Sequence, residues 1–242
     1  MVSQPIETIR YKGLIFELIR EHNLIEAIKV QNKVFPHEDG SQNFKDSIAI
    51  KENPHPVIKD SYYWLVKNEN SEPIGTIGYL AYQEYPNVMI TEWLGVIAKN
   101  RRNGYASAMM DFIREQGIER GYTENRLYTD TVDNAIACMF YRKMGMFEEL
   151  YDRHDDILTY QPGNIVIFSE SLTEKQITPW NNRFLFLSIL TDCCDKEEAE
   201  KRLQHYYEAK VANAKGANLP LGQTLEQAVE RRKIRFPKAF SD

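Results

Sequence analysis

The chain has 242 residues, of which 43% are hydrophobic and 27% charged, and its formal net charge is −5. This composition is typical of a soluble globular protein, with room for one domain of about 150 residues and an addition. The acidic balance disfavours nucleic-acid binding, and no apolar run approaches the roughly 20 residues that span a bilayer. The first residues carry neither a basic start nor an apolar core, so we expect no secretory signal and a cytoplasmic location.

Hydrophobic patterning predicts alternating strands and helices along most of the chain. A strand at 14–19 and an amphipathic helix at 24–34 come first, followed by a polar stretch that suits a short helix and a loop. Further strands are predicted at 62–66, 74–81, 88–96, 126–131, 147–151 and 165–168, with helices at 105–117 and 134–144. This order predicts an α/β fold with a mixed, mostly antiparallel central sheet flanked by helices.

The turn between the strand that ends at Val96 and the helix after it is predicted to bind a pyrophosphate. The first N–H groups of a helix lack internal partners, and the helix dipole adds partial positive charge there. Arg101 and Arg102 add full charges, Gly104 lets phosphate oxygens approach the backbone, and Ala106 keeps the next position small. A basic turn of this kind is also common without a ligand, and it matches neither the dinucleotide fingerprint nor a P-loop.

A second element follows about thirty residues later, at the spacing of a β-α-β unit. It reads as a short helix that begins near Asn134 and ends at Gly145. Ala137 and Phe140 lie on the face expected to pack against the sheet, while Tyr141 lies beside that face and need not be buried. Asn134 is expected either to cap the helix or to use its amide on a ligand.

Together the two elements resemble the cofactor motifs of the GNAT family of N-acetyltransferases. Arg101-x-x-Gly104-x-Ala106 is similar to that family's acetyl-CoA pyrophosphate loop, whose usual form is Gln/Arg-x-x-Gly-x-Gly/Ala. The run that starts at Asn134 looks like the second cofactor motif, with Met146 where a phenylalanine is usual. Both motifs in this order and at this separation are far more specific than either alone.

The resemblance covers about residues 15–168 and implies that acetyl-CoA is the cofactor. It also implies that the strand before the loop pairs with the pantetheine arm and offers backbone N–H groups to the thioester carbonyl. The implied cofactor-binding residues lie on this strand, in the loop and at the start of the second helix: Leu94, Val96, Arg101, Arg102, Asn103, Gly104, Tyr105, Ala106 and Asn134.

Acetylation of an amine needs a base for the ammonium proton and an acid for the departing thiolate. Tyr141 matches the tyrosine that serves many family members as the acid, although a ring packed at the domain surface is the alternative. Glu92 is the candidate base, because period-two alternation predicts Glu92, Leu94 and Val96 on one strand face, where a carboxylate is unusual. An edge-exposed or salt-bridged glutamate is the alternative.

The predicted function is therefore transfer of an acetyl group from acetyl-CoA to a primary amine of a small molecule or peptide, by direct attack in a ternary complex. No covalent enzyme intermediate is required, and the cysteine and histidine spacings predict neither disulfides nor a metal site. The alternative function is an acyl-CoA-binding module without turnover, whose helical tail binds a protein partner.

Residues 1–172 are predicted to form the acetyltransferase domain, and residues 173–242 a helical C-terminal extension of unknown role. The extension contains an apolar stretch at 180–191 with helical spacing and a charged, helix-forming stretch at 196–212. Two or three helices of this length can hardly fold alone. We expect them to pack on the catalytic domain or on a second copy of the chain, which would form a homodimer.

Overall fold

A computed structural model describes residues 7–36, 38, 40–51, 55–130, 134–150, 165–174, 176–178, 197–198 and 201. The chain divides into two compact units, residues 1–126 with 171–176 and residues 127–170 with 177–242. Most of the predicted C-terminal extension, including Cys193 and Cys194, lies outside the described residues. The extension, its boundary at residue 172 and the homodimer therefore stay predictions.

The first unit contains a sheet whose strands follow one another in chain order. Neighbouring strands are antiparallel from β1 to β5, and β5 and β6 are parallel. The predicted mixed, mostly antiparallel sheet is thus confirmed. The strands are β1 (Thr8–Tyr11), β2 (Leu14–Leu18), β3 (Ile58–Asn68), β4 (Pro73–Tyr82), β5 (Val88–Val96) and β6 (Glu124–Asp130), of which β6 continues into the second unit.

Helices pack on both faces of this sheet. α1 (Leu24–Val34) and α2 (Ser41–Ala49) contribute Val30 and Phe44 to a buried cluster that includes Tyr63 of β3. α3 (Tyr105–Glu119) contributes Phe112, whose ring meets the ring of Trp64 edge-on at a centroid distance of 5.2 Å. Because Tyr63 and Trp64 are successive residues of one strand, they point to opposite faces, and each face is covered by its own helices.

The second unit contains α4 (Ala135–Lys143), β7 (Phe147–Leu150) and β8 (Ile165–Ser171). β7 and β8 are antiparallel, and β8 also neighbours β6. No helix in the described part of the chain combines the length and the apolar character that a bilayer-crossing segment requires.

The helices and strands predicted between residues 14 and 168 are confirmed, and the structure adds two features. β1 was not predicted; its residues are half-buried or exposed, so it lacks a strong apolar signal. It joins β2 through a two-residue turn at Lys12 and Gly13, both with positive φ (46° and 76°), as a tight hairpin requires. β3 is also longer than expected and begins at Ile58.

Candidate active site

The loop after β5 presents a helix start without a side-chain cap. A short 3-10 turn (Ala98–Asn100) leads into Arg102 and Gly104, which adopt left-handed φ values of 67° and 78°. Gly104 occupies the N-cap position of α3, and its carbonyl accepts the Ala108 N–H at 3.1 Å. The first N–H groups of α3 receive no hydrogen bond acceptor from a capping side chain, so this exposed start is suited to an anion.

Some polar side chains of the loop brace it, whereas Arg102 and Lys99 have no partner within the described residues. Arg101 donates from Nε to the Val96 carbonyl at 2.9 Å, and Asn103 donates from Nδ2 to the Asn100 carbonyl at 3.1 Å. Arg102 is exposed and forms no hydrogen bond or ion pair within the described residues. The loop therefore holds its shape by internal contacts and leaves one guanidinium for a ligand.

Two features of position 104 favour a glycine, namely its backbone conformation and the open space in front of it. Its positive φ is a conformation that other L-residues adopt only with strain. A Cβ built there would meet no atom within 4 Å, so the space in front of the glycine is open. A pyrophosphate can approach the backbone at this position, and the residues therefore fit the phosphate end of acetyl-CoA.

β5 carries a bulge just before the loop. Glu92 lies opposite Gly78 of β4 and Gly95 lies opposite Thr76, so three steps along β5 match two steps along β4. Trp93, within the bulge, has a φ of 53°. One extra residue in a strand shifts the alternation of every side chain beyond it.

The bulge corrects the prediction that Glu92, Leu94 and Val96 share one face of the strand. Glu92 pairs with Gly78, while Val96 pairs with Gly75. Residues directly opposite in a sheet share a face, and positions 75 and 78 of a regular strand point to opposite faces. Glu92 and Val96 therefore lie on opposite faces of the sheet.

The edge of β5 that faces β6 is paired over only part of its length. The parallel ladder runs from Val88 to Ile90, opposite Glu124 to Arg126. Beyond Thr91, whose hydroxyl donates to the Asn125 side chain at 2.7 Å, this edge has no strand partner among the described residues. The Trp93 and Val96 carbonyls accept hydrogen bonds from the Thr76 and Arg101 side chains, and the remaining backbone groups on this edge are available to an extended ligand.

Glu92 is half-buried in this central strand and has one polar partner among the described residues. The hydroxyl of Tyr63 donates to its Oε2 at 2.6 Å. Burial raises the pKa of Glu92 to about 7, and the hydrogen bond from Tyr63 opposes that rise. In the described part of the chain it forms no ion pair, and it lies just beyond the stretch of β5 that pairs with β6. A carboxyl group that titrates near neutral pH suits a general base.

Asn134 and Tyr141 lie in the second unit, at the start and near the end of α4. Asn134 occupies the N-cap position, but its side chain makes no capping hydrogen bond, so the amide is not committed to the helix. The Tyr141 ring packs against the Phe168 ring with centroids 5.3 Å apart. Burial raises the pKa of the Tyr141 phenol well above its usual value.

The buried face of α4 differs from the predicted one. Cys138 and Tyr141 are its buried residues, with 2% and 7% of their surface exposed, whereas Ala137 and Phe140 are only half-buried. The prediction that Tyr141 lies beside the packed face is therefore wrong. The helix is rotated by about one residue from the orientation that its apolar pattern favours, because Phe168 of β8 packs on the tyrosine ring.

Two residues of this site were not predicted from the sequence. Tyr63 and Gly78 reach the site only through strand register, since they lie 29 and 14 positions from Glu92. No motif marks them, and a tyrosine or a glycine within an apolar strand is an ordinary feature. Among the described residues, no group of three or more His, Cys, Asp or Glu side chains is arranged to hold a metal ion.

Solved structures with the same fold include several proteins described as GNAT family members or acetyltransferases. A probable acetyltransferase of the GNAT family from Chromobacterium violaceum is 15% identical, with a TM-score of 0.53 over 70% of this chain and 88% of that one. A spermidine N-acetyltransferase from Vibrio cholerae in complex with CoA and spermine is 11% identical, with a TM-score of 0.50 over 66% and 96%. FdhC, a nucleotide-linked sugar GNAT, is 14% identical, with a TM-score of 0.50 over 68% and 89%.

The sequence itself matches a family model. No curated protein matches the chain. The model described as the acetyltransferase (GNAT) family matches residues 24–146, which are about half of the chain. They run from the start of α1 to Met146, three residues beyond the end of α4. This stretch contains Glu92, α4 and residues 97–104 between β5 and α3, which we call the anion loop. The chain belongs to the GNAT family of acetyltransferases.

Proposed function

We propose that the protein is an acetyl-CoA-dependent N-acetyltransferase that acts on a primary amine of a small molecule or a peptide. The observation that carries this proposal is the arrangement along β5. Glu92, whose pKa is raised to about 7, lies on the same strand that leads, beyond Val96, into an exposed and uncapped helix start. A base and an anion site are thus held at a fixed separation by one stretch of backbone.

The loop and the unpaired edge of β5 are proposed to bind acetyl-CoA. Arg102 and the free N–H groups from Gly104 to Ala106 would hold the pyrophosphate, while Arg101 and Asn103 keep the loop in shape. The backbone of Leu94 and Val96 would pair with the pantetheine arm, and the Asn134 amide would contact the cofactor. When bound, acetyl-CoA supplies the activated acetyl group as a thioester.

Glu92 and Tyr141 are proposed to move the two protons of the reaction. Glu92 accepts a proton from the acceptor ammonium, directly or through a water, because its pKa, raised by burial to about 7, lets it exchange protons near neutral pH. Tyr141 keeps its phenol proton at neutral pH, since burial raises its pKa, and can give it to the departing thiolate sulfur. The backbone N–H groups of β5 polarise the carbonyl under attack.

Calorimetric titration with acetyl-CoA tests the binding part of the proposal. We expect saturable binding by the parent protein and affinity at least about 100-fold weaker in Gly104→Glu, since a carboxylate would stand where the phosphates bind. Gly121→Glu is the matched control. Gly121 is also exposed, also has a left-handed φ (79°), and also has no atom within 4 Å of an added Cβ.

The two glutamate variants carry the same charge change and the same backbone strain, so they differ only in position. Lack of binding by the parent, or equal binding by Gly104→Glu and Gly121→Glu, would overturn the assignment of the loop. Release of free CoA thiol with a panel of primary amines then separates the enzyme from the acyl-CoA-binding module. Binding without thiol release from any amine would favour the module.

A further inference from the structure

We infer that Tyr63 is a positioning residue for Glu92, and that Gly78 lies between them to let the tyrosine reach the carboxylate. The inference rests on the proposed function of Glu92 as the base. It concerns a hydrogen bond that crosses three strands, and neither residue belongs to the motifs that resemble those of the family.

The three residues form one row across the sheet. Tyr63 of β3 lies opposite Gly78 of β4, and Gly78 lies opposite Glu92 of β5. Adjacent strands are about 4.8 Å apart, so the backbones of Tyr63 and Glu92 are about 10 Å apart. A side chain bridges this distance only by lying across the middle strand. The Tyr63 ring does so, and its hydroxyl donates to Glu92 Oε2 at 2.6 Å.

Gly78 leaves the space that the ring occupies. A Cβ at this position would lie 2.0 Å from Tyr63 Cδ1 and 2.6 Å from the Tyr62 carbonyl oxygen. A glycine weakens a strand, and a glycine in a central strand often marks a site where another group approaches the backbone closely. Here that group is the Tyr63 ring, and any other residue at position 78 would displace it.

Packing holds the Tyr63 ring in one orientation and so fixes the direction in which its hydroxyl points. Tyr63 is 1% exposed, and its ring packs against the Phe44 ring of α2 with centroids 5.2 Å apart. On the other side of the hydrogen bond, the bulge fixes Glu92, because the adjacent Trp93 ring packs edge-on against Phe35 at 5.4 Å. Donor and acceptor are therefore both positioned by packing.

Within the described residues, Tyr63 is also the polar group that forms a hydrogen bond with Glu92. Glu92 is the one charged residue of β5, and β4 has none. The hydrogen bond from the Tyr63 phenol favours the ionised form of Glu92 and so lowers its pKa. The neighbouring Tyr82 raises the pKa of the Tyr63 phenol itself. Within the described residues, Glu92 forms no ion pair with the charged groups of the neighbouring elements, which are Lys59, Asp60 and Lys67 on β3, Glu124 and Arg126 on β6, Glu26, Lys29 and Lys33 on α1, Lys45 and Asp46 on α2, and Asp111, Arg114, Glu115 and Glu119 on α3.

The direct test is a carboxyl ¹³C NMR titration of Glu92, with its resonance assigned by comparison with Glu92→Gln. We expect Tyr63→Phe to raise the pKa of Glu92 by about one pH unit, because the carboxylate loses its hydrogen bond donor. Tyr79→Phe is the matched control. Tyr79 is a fully buried tyrosine of the adjacent β4 whose hydroxyl has no hydrogen bond partner in the described part of the chain.

An unchanged pKa of Glu92 in Tyr63→Phe, or an equal change in Tyr79→Phe, would overturn the inference. If Tyr63→Phe does not fold, 3,5-difluorotyrosine at position 63 keeps the ring and makes the phenol a stronger donor. The pKa of Glu92 is then expected to fall, and a pKa that stays the same or rises would count against the inference. Gly78→Ala, which must displace the ring, is expected to raise it.

The pH profile of kcat/KM adds a readout that a merely structural role would not move. In Tyr63→Phe the acidic limb is expected to shift upward with the pKa of Glu92, so activity falls up to about tenfold below the midpoint and recovers at high pH. Uniform loss at all pH values would contradict a positioning role. Should Glu92→Gln remain fully active, the proposed base is wrong, and the NMR titration still tests the contact between Tyr63 and Glu92.

Discussion

Glu92 and the anion loop lie on one continuous stretch of chain, but different kinds of interaction build them. We call Glu92, Tyr63 and Gly78 together the Glu92 site. The loop depends on local features, namely the positive φ values of Arg102 and Gly104 and the free end of the helix that follows. The Glu92 site depends on residues from three strands brought together by register. The loop is exposed, while Glu92 is half-buried and Tyr63 fully buried.

This difference separates the expected effects of mutation. A change in an exposed loop alters ligand affinity and leaves the core intact. A change near a buried carboxyl group alters its protonation and, through the same contacts, the free energy of unfolding. The two regions can therefore be distinguished by measuring affinity, turnover and stability on the same variants.

The largest effect is expected from Glu92→Gln, which keeps the size of the side chain and removes its basicity. We expect kcat to fall by about 10³-fold, within the range for loss of a general base, with acetyl-CoA affinity unchanged. Steady-state kinetics and calorimetry measure both quantities. The parent should gain activity as pH rises through about 7, the pKa of Glu92, and the variant should lack this dependence. If the activity of Glu92→Gln still falls at low pH, Glu92 is not the group that causes this fall.

The same variant has a predicted effect on stability whose sign follows from the raised pKa. The folded protein holds the Glu92 proton up to about pH 7, whereas the unfolded chain releases it near its ordinary value of 4.5. The folded state therefore binds more protons between these values, and the free energy of unfolding of the parent should fall, relative to that of Glu92→Gln, as pH rises through this window. Urea denaturation at several pH values measures the difference, and a constant difference would contradict the raised pKa.

A smaller loss is expected from Tyr141→Phe, which removes the proposed acid and keeps the ring that packs on Phe168. We expect kcat to fall about 10² -fold with acetyl-CoA affinity unchanged. Tyr79→Phe, which also removes one hydroxyl from a buried ring, should keep parental activity. Full activity of Tyr141→Phe would mean that its hydroxyl is not the acid and that the ring serves packing alone.

The smallest effect is expected from Arg102→Ala in the exposed loop. Loss of one solvent-exposed charge should weaken acetyl-CoA binding by about fivefold at low salt and less at high salt, because exposed ion pairs are screened. Turnover at saturating acetyl-CoA should not change. Lys29→Ala removes an equal charge from an exposed position on α1 and should leave the affinity as it is. If the two variants weaken binding equally, Arg102 acts only through net charge.

The sequence predicted the local geometry of the exposed loop better than the buried surroundings of Glu92 and Tyr141. Arg101, Gly104 and Ala106 are close in sequence and act through the backbone of one turn, so their spacing carries the information. The roles of Tyr141 and Glu92 stay predictions, and the sequence did not predict the surroundings in which the structure places them. Burial of Tyr141 depends on Phe168, and the face of Glu92 depends on a bulge that strict alternation does not reveal.

By itself, the sequence determined the succession of strands and helices, the mixed sheet and the resemblance to the GNAT family, because local periodicity and motif spacing are properties of contiguous residues. Only the tertiary structure decided that Glu92 and Val96 point to opposite faces, that α4 buries Tyr141, and that Tyr63 crosses Gly78 to reach Glu92. Each of these depends on which residues distant in sequence become neighbours. Strand register determines which residues become neighbours, and a single inserted residue changes the register.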